Sequence, residues 1–278
     1  ASVNAIIAIG AKPVLVDSDP ETFNTTPELM ERYLTKKTKA IVPVDVAGMP
    51  VDVDAFTEFA KNNNLIMIED AAEAIGAQYK NNKIGSFNHT AIFSFHMAKL
   101  ITSVVGGCVV TSNEEIARKC SMIQNHGMQK KYEHKLFGLN FRLTDIQSAI
   151  GRAQLKKINE YIKWRNKLVK IYKKELGESV EYQKIPDYAN VHPHMIFGVL
   201  TDKRKRDYII KYLKKGGVDT RICWPPVHTQ EYHKKIFNGK YPGSEQIASR
   251  IINLPIGNML SKEDVNYVIK IFKKALKN

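Results

Sequence analysis

Short apolar runs alternate with amphipathic segments through the first half of the chain, and this alternation constrains the fold more than any other feature. The runs are rich in valine and isoleucine, as buried strands are, and the segments between them have the length and capping residues of helices. Strands that alternate with helices pack as a parallel sheet with helices over it. The sequence therefore predicts an α/β fold with a mostly parallel sheet and helices on both of its faces.

The order of the predicted elements indicates two domains. Strands are expected at 13–17, 40–44, 65–68, 91–95 and 107–111, and helices at 26–34, 52–62 and 113–123. A periodic stretch from 144 to about 176 predicts one long helix that could bridge two domains. Further elements are expected as strands at 195–200 and 218–222 and as helices at 204–215 and 262–276. We expect a large domain over residues 1–160 and a small C-terminal α/β domain over 161–278.

Two of the predicted strands end next to groups that can carry chemistry. Residues 65–70 read LIMIED and end in Asp70, and residues 91–99 read AIFSFHMAK and end in Lys99. Each residue alone has an ordinary explanation, a helix cap for Asp70 and a solvated position for Lys99. At the carboxyl ends of parallel strands, however, both side chains can converge on one ligand. A lysine for the Schiff base and a carboxylate for the pyridine nitrogen are what pyridoxal phosphate requires.

Nine ordered motifs resemble one known family over the whole length of the chain. They are GAKPV at 10–14, GMPVD at 48–52, EDAAEAIGA at 69–77, FSFH at 93–96 followed by Lys99, NHG at 125–127, NFRLTDIQSAIG at 140–151, GVDTR at 217–221, PVH at 226–228 and LP at 254–255. With these motifs the sequence resembles the DegT/DnrJ/EryC1/StrS sugar aminotransferases. The resemblance implies the type I aminotransferase fold and pyridoxal 5'-phosphate as the cofactor.

The resemblance also implies residue roles. Lys99 corresponds to the Schiff-base lysine, Asp70 to the partner of the pyridine nitrogen and Ser94 to the serine that binds the cofactor phosphate. Glu73 stands where the family has Gln, His or Glu near the cofactor ring and the substrate. Asn140 resembles the asparagine that reaches the phosphate of the neighbouring subunit. These matches imply a homodimer with shared active sites.

Two residues of the predicted small domain are candidates for substrate binding, and their roles stay open. Arg221 could pair with a substrate phosphate or with an acidic neighbour. His228 follows two prolines on a predicted loop, where it could contact the substrate or serve the structure.

The implied reaction is transamination of a nucleotide-linked keto sugar, most simply a 4-keto-6-deoxy sugar, with glutamate or glutamine as amino donor. Glu73 resembles the residue of perosamine-type enzymes at this position. One alternative is a sugar dehydratase of the same fold, but such relatives carry histidine where Lys99 stands. The other is a non-catalytic homologue with a binding or regulatory role.

The sequence departs from the family pattern at two places. Family members are longer, and a turn that cups the cofactor phosphate and an aromatic residue that stacks on its ring precede the counterpart of Ala1. We therefore expect the sequence to be part of a longer protein; the alternative is that the protein has lost part of its site. In addition, residues 101–107 read ITSVVGG and lack the acid that the family usually has there.

Charge and composition indicate which classes of binding partner to expect. The formal charge is +14, but the lysines lie in helical patterns that indicate solvated faces, without an arginine-rich arm or zinc-finger spacing. We expect this surface to attract an anionic substrate and expect no nucleic-acid partner. Because no apolar run approaches the roughly 18 to 20 residues of a membrane span, we expect no membrane partner and a cytoplasmic protein. Cys108, Cys120 and Cys223 show no paired spacing, which predicts buried free thiols and no metal site.

Overall fold

The computed structural model describes residues 1–222 and 224–277. Its helices are α1 Ser2–Ala8, α2 Pro27–Glu31, α3 Val53–Asn62, α4 Glu114–Ile123, α5 Asp145–Leu155, α6 Ile158–Leu176, α7 Arg206–Lys215, α8 Pro242–Arg250 and α9 Lys262–Lys277. Its strands are β1 Ala40–Ile41, β2 Ile66–Asp70, β3 Gln78–Tyr79, β4 Asn82–Lys83, β5 Thr90–Ser94, β6 Gly107–Val110, β7 Met128–Lys130, β8 Glu133–His134, β9 Glu181–Tyr182, β10 Phe197–Leu200 and β11 Ile251–Leu254.

The first sheet has the strand order β1-β2-β5-β6 and is mixed but mostly parallel. β2 lies parallel to both β1 and β5, with Ile68 opposite Thr90, whereas β6 lies antiparallel to β5, with Val109 opposite Ile92. The predicted α/β class is therefore confirmed. Parallel pairing brings the carboxyl ends of β2 and β5 to one edge of the sheet, and Asp70, the last residue of β2, lies at that edge.

The early helices begin where the sequence predicts. Thr26, Asp52 and Asn113 are the N-caps of α2, α3 and α4, and each side chain accepts a hydrogen bond from a backbone N–H of the first turn. Pro27 occupies the first turn of α2. Short polar side chains satisfy amide groups that a helix leaves without partners, so local chemistry alone fixes these three starts.

The predicted strand at 13–17 is wrong, because its last residue takes another role. The Asp17 carboxylate accepts hydrogen bonds from the backbone N–H groups of Gly243 and Ser244, both at 2.8 Å. These groups belong to the first turn of α8, which the sequence did not predict. Asp17 thus caps a distant helix, and its segment lies outside the sheet.

The single long helix expected from 144 to about 176 is also wrong, since two helices occupy this stretch. At the end of α5 the Lys157 N–H bonds to the carbonyl of Gln154, which is the tighter spacing of a closing turn. α6 then begins at Ile158 and buries Leu168 and Tyr172 completely, whereas every residue of α5 stays exposed or half-buried. The break separates a helix with a buried face from one without.

The C-terminal part has its own antiparallel sheet with the order β11-β10-β9. All four residues of β11 are buried, and Phe197 of β10 lies opposite Leu254. This sheet packs against α6, α7 and α9 in one buried cluster. The expected strand at 218–222 is reduced to a backbone bridge between Arg221 and Asn253 of β11, and β10 is the central strand of the sheet.

Two large buried clusters organise the molecule. One includes residues between Met30 and Phe93, and the other includes residues between Leu168 and Ala275. The expected division into 1–160 and 161–278 falls inside α6 and stays a prediction.

Two of the three cysteines lie in the described part of the chain. Cys108 is exposed and Cys120 is half-buried, and both are free thiols, so the expected burial is wrong for Cys108. It lies on β6, at the end of the strand order, where Gly107, Cys108 and Val109 are all exposed. Cys223 lies outside the described residues.

Among residues 1–222 and 224–277, none of the helices combines the length and apolar character needed to cross a bilayer.

Candidate active site

Asp70 is fixed at the carboxyl end of β2. Its side chain is buried, and its backbone lies opposite Ile92 of β5. Oδ2 accepts a hydrogen bond from the hydroxyl of Ser2 at 2.5 Å, and Oδ1 accepts one from the backbone N–H of Ala72 at 3.2 Å. Two donors on separate oxygens hold the carboxylate in one orientation. The contact with Ser2 had no signal in the sequence, because α1 was not predicted.

Glu73 reaches the same edge from the turn that follows β2. Its Oε2 accepts a hydrogen bond of 2.9 Å from the backbone N–H of Ala47, whose φ of 62° is left-handed. Gly48 follows with a φ of +92°, and a Cβ there would lie 2.8 Å from Cγ of Pro193 and 2.9 Å from the carbonyl oxygen of Glu73. The turn at 46–48 therefore approaches Glu73 more closely than a side chain at position 48 would permit.

Lys99 stands on the loop that joins the antiparallel strands β5 and β6. The loop is closed by hydrogen bonds from Phe95 N–H to the carbonyl of Gly106 and from Ser103 N–H to the carbonyl of Phe95. Nζ of Lys99 lies 3.3 Å from Oε1 of Glu73, and the two side chains are only 14% and 8% exposed. The structure thus brings together two of the predicted site residues in a buried ion pair.

Trp224 completes this group, although sequence reasoning did not single it out. Its Nε1–H donates to Oε1 of Glu73 at 3.1 Å, and its ring centroid lies 5.8 Å from Nζ of Lys99. The available signal was a large aromatic residue directly before Pro225 and Pro226 on a predicted loop. Such residues at loop positions commonly serve a binding surface rather than a core.

Ser94 ends β5 on the approach to the lysine loop. Its Oγ accepts a hydrogen bond from the backbone N–H of His96 at 3.3 Å. A hydroxyl that accepts one bond can still donate its own proton, so Ser94 can offer a donor to an anion.

The three remaining candidates lie apart from the lysine. Asn140 is exposed, and its Oδ1 accepts from Nε of Arg142 at 3.0 Å. His228 lies 3.1 Å from Oε1 of Glu245, and Arg221 is exposed. In the part of the chain that the structure describes, no side-chain contact joins these three residues to Lys99.

A second carboxyl group lies buried behind Asp70. The Asp45 side chain is fully buried, its Oδ1 accepts from the N–H of Val51 at 2.9 Å, and its backbone N–H donates to the carbonyl of Asp70. Burial raises the pKa of Asp45 well above its usual range, and the nearby charges of Glu69 and Asp70 add to this effect. Its charged form is therefore disfavoured beside the site.

A model of the DegT/DnrJ/EryC1/StrS aminotransferase family matches residues 1–273. The chain belongs to this aminotransferase family. GDP-perosamine synthase of Escherichia coli O157:H7 is 37% identical over 272 residues, which cover 96% of this chain and 74% of that protein. The predicted membership is therefore confirmed.

Solved structures of family members have the same fold. DesV of S. venezuelae, in complex with a ketimine intermediate, matches with a TM-score of 0.95 at 31% identity and covers 100% of this chain and 76% of its own. Helicobacter pylori PseC, an aminotransferase involved in the biosynthesis of pseudoaminic acid, matches with a TM-score of 0.94 at 27% identity over 99% of this chain and 76% of its own. The predicted type I aminotransferase fold is confirmed.

Aminotransferases of this family depend on pyridoxal phosphate, which confirms the predicted cofactor. The groups at the sheet edge fit it. The buried Asp70 carboxylate, the primary amine of Lys99 and the hydroxyl of Ser94 offer an acceptor, a nucleophile and a donor.

Proposed function

We propose that this aminotransferase moves an amino group from glutamate or glutamine to a nucleotide-linked keto sugar, with a 4-keto-6-deoxy sugar as acceptor. The observation that carries the proposal is the buried pair of Lys99 and Glu73 at the strand edge that also presents Asp70. The name of the E. coli relative, GDP-perosamine synthase, supports a nucleotide sugar as the acceptor.

When bound, pyridoxal phosphate supplies an aldehyde that condenses with amines and a ring that takes up the electron pair of a broken C–H bond. Asp70 holds the proton of the ring nitrogen in this proposal, and its two donors keep the carboxylate aimed at it. Lys99 would hold the aldehyde group through Nζ, and its amine would move the proton as a general base and acid. Ser94 donates a hydrogen bond from its hydroxyl to the phosphate.

Glu73 has the role of holding Lys99 between these tasks. Its carboxylate lies 3.3 Å from Nζ and is fixed on its other oxygen by the Ala47 amide. A released lysine amine that returns to the same acceptor stays within reach of the reacting carbon. Positioning of this kind lowers the entropy that the proton transfer has to lose.

The proposal includes a homodimer in which Asn140 serves the neighbouring subunit's phosphate. Large apolar side chains around Asn140 are exposed, as expected of a surface that a partner covers. They are Phe137 at 84%, Leu139 at 45%, Phe141 at 64% and Ile146 at 76%. Arg221 is exposed, so its side chain can reach a substrate diphosphate. His228 lies in the 3₁₀ turn Val227–Thr229, directly after the loop of Trp224.

The test combines a spectrum with an assay. The full chain with added pyridoxal phosphate should show a yellow absorbance band that Lys99→Ala abolishes. Lys80→Ala should keep the band, because Lys80 is an exposed lysine paired with Asp54. A panel of nucleotide-linked keto sugars with glutamate or glutamine should then give an amino sugar and the keto acid of the donor.

Two results would refute the proposal. A deoxygenated product without a new amino group would favour the dehydratase alternative. A band that Lys99→Ala leaves unchanged, together with no product from any sugar, would favour a binding or regulatory homologue.

A further inference from the structure

We propose that Trp224 is a positioning residue that holds the Glu73 carboxylate in place while Lys99 leaves it and returns. The inference rests on the proposed function for the role of Lys99. The contact itself is independent of that function, since it is made within the chain: Nε1 of Trp224 lies 3.1 Å from Oε1 of Glu73 across 151 positions of sequence.

Three hydrogen-bond donors surround the Glu73 carboxylate. Oε2 receives the Ala47 amide at 2.9 Å, and Oε1 receives both the Trp224 indole at 3.1 Å and the Lys99 amine at 3.3 Å. A carboxylate oxygen has two lone-pair directions, so Oε1 can accept from both groups at once. When the amine departs to react, each oxygen of Glu73 still has one donor, and the carboxylate does not turn away.

The indole suits this task better than other side chains would. It is a donor only, so it cannot compete with Glu73 for the proton of Lys99. Its ring centroid lies 5.8 Å from Nζ, within the range of a cation–π contact with the charged amine. The ring is bulky and has two rotatable bonds, which makes a fixed hydrogen bond cost little conformational entropy.

The position of Trp224 links two parts of the chain. Glu73 lies on the turn after β2 and Lys99 on the loop after β5, whereas Trp224 lies on the loop before the 3₁₀ turn Val227–Thr229. Trp224 as a whole is 58% exposed. The order of this loop therefore depends in part on one hydrogen bond to a buried carboxylate.

The first test measures the contact without any reaction. The sequence has two tryptophans, and Trp164 donates its own indole N–H to the carbonyl of Leu260, far from this site in sequence. Trp164→Phe makes Trp224 the sole tryptophan reporter. In that background Glu73→Ala should shift the emission to longer wavelength and raise acrylamide quenching about twofold, because the released ring becomes more exposed. Glu73→Gln keeps an acceptor oxygen and should shift it less.

The second test measures the role. Trp224→Phe keeps a ring but removes the donor, and it should lower kcat about tenfold, the factor that corresponds to 1.4 kcal/mol, with KM nearly unchanged. It should also change the acid limb of the kcat pH profile, which a loss of loop packing alone would not do. Trp164→Phe is the matched control and should retain kcat.

The outcomes separate this inference from the proposed function. Unchanged emission and quenching in Glu73→Ala would overturn the contact, and an unchanged kcat with an unchanged pH profile in Trp224→Phe would overturn the role. A folded Lys99→Ala variant that still makes the amino sugar would refute the assignment of Lys99, and with it this role for Trp224. Absence of product from every sugar would refute the proposed substrate and with it the role of Trp224 in that reaction, whereas the fluorescence result would still decide whether the contact exists.

Discussion

Ser2 donates its hydroxyl proton to Oδ2 of Asp70 at 2.5 Å, although 68 positions separate the two residues. The contact brings the start of α1 to the sheet edge that presents Asp70, and the other Asp70 oxygen is held by the following turn. Asp70 therefore depends on a side chain that lies outside its own strand and its own turn.

Ser2→Ala is expected to weaken the reaction by loosening Asp70. A hydrogen bond to a charged group contributes about 1.5–3 kcal/mol, so kcat/KM should fall roughly tenfold to a hundredfold. Steady-state kinetics at saturating cofactor measure the effect. Ser2→Thr keeps the hydroxyl and is the matched control. Equal losses in the alanine and threonine variants would show that packing of α1, and not the hydrogen bond, matters.

Gly48→Ala should destabilise the fold more than an ordinary glycine substitution. The change adds left-handed strain of about 1–2 kcal/mol and also places a methyl group 2.8 Å from Cγ of Pro193. Gly217→Ala is the control, since Gly217 has a φ of +73° and a methyl group there would meet nothing within 4 Å. Urea unfolding should give a larger loss for Gly48→Ala, and equal losses would contradict the close approach.

A mixture of two inactive variants tests the shared active site. If Asn140 serves the neighbouring subunit, a dimer of Lys99→Ala with Asn140→Ala contains one site with both defects and one intact site. Random mixing makes half of the dimers mixed, so about a quarter of the wild-type activity should return in a symmetric dimer. Refolding the variants together and separately measures it. Activity that stays at the level of the separate variants would place Asn140 in its own subunit's site or in none.

Acid should destabilise the protein through two buried histidines. Burial lowers the pKa of His194 to about 3, with the charges of Lys173 and Arg165 adding, and it lowers the pKa of His192 well below its usual range. The unfolded chain binds protons on both rings below about pH 6.5, whereas the folded chain does not. The two histidines therefore do not reduce the free energy of unfolding above that pH, and they reduce it progressively as the pH drops toward 3.

The slope of the free energy of unfolding against pH tests this prediction. Each histidine contributes a decline of up to about 1.4 kcal/mol per pH unit. Urea unfolding at several values between pH 7 and pH 4 should show a shallower decline for His194→Gln than for the wild type. His134→Gln alters an exposed histidine and should keep the wild-type slope. Parallel slopes in all three proteins would show that other groups control acid stability.

Sequence reasoning succeeded where a local rule decides the structure. Thr26, Asp52 and Asn113 start their helices because each short polar side chain bonds to the next turn. Asp70 and Lys99 reach one edge because parallel strands align their carboxyl ends. In both cases the deciding interaction lies within a few residues or follows from strand direction alone.

It failed where a distant partner decides. Asp17 leaves its predicted strand to cap α8, which begins 225 positions later in the chain. Trp224 meets Glu73 across 151 positions, and neither periodicity nor composition encodes such a meeting. The break after α5 likewise depends on what α6 packs against, since the apolar pattern continues through both helices.

The closed loop between β5 and β6 has a consequence for how this protein can diverge. Hydrogen bonds from Phe95 and Ser103 tie the loop back onto its own hairpin, and the buried side chains of Leu100 and Ile101 pack against Ile162 of α6. The hairpin and α6 together therefore hold the backbone of Lys99. Substitutions on the loop that carries His228 leave these contacts in place as long as Trp224 is kept. Laboratory selection for a new sugar acceptor should therefore accumulate changes on that loop outside Trp224 and spare the hairpin of β5 and β6.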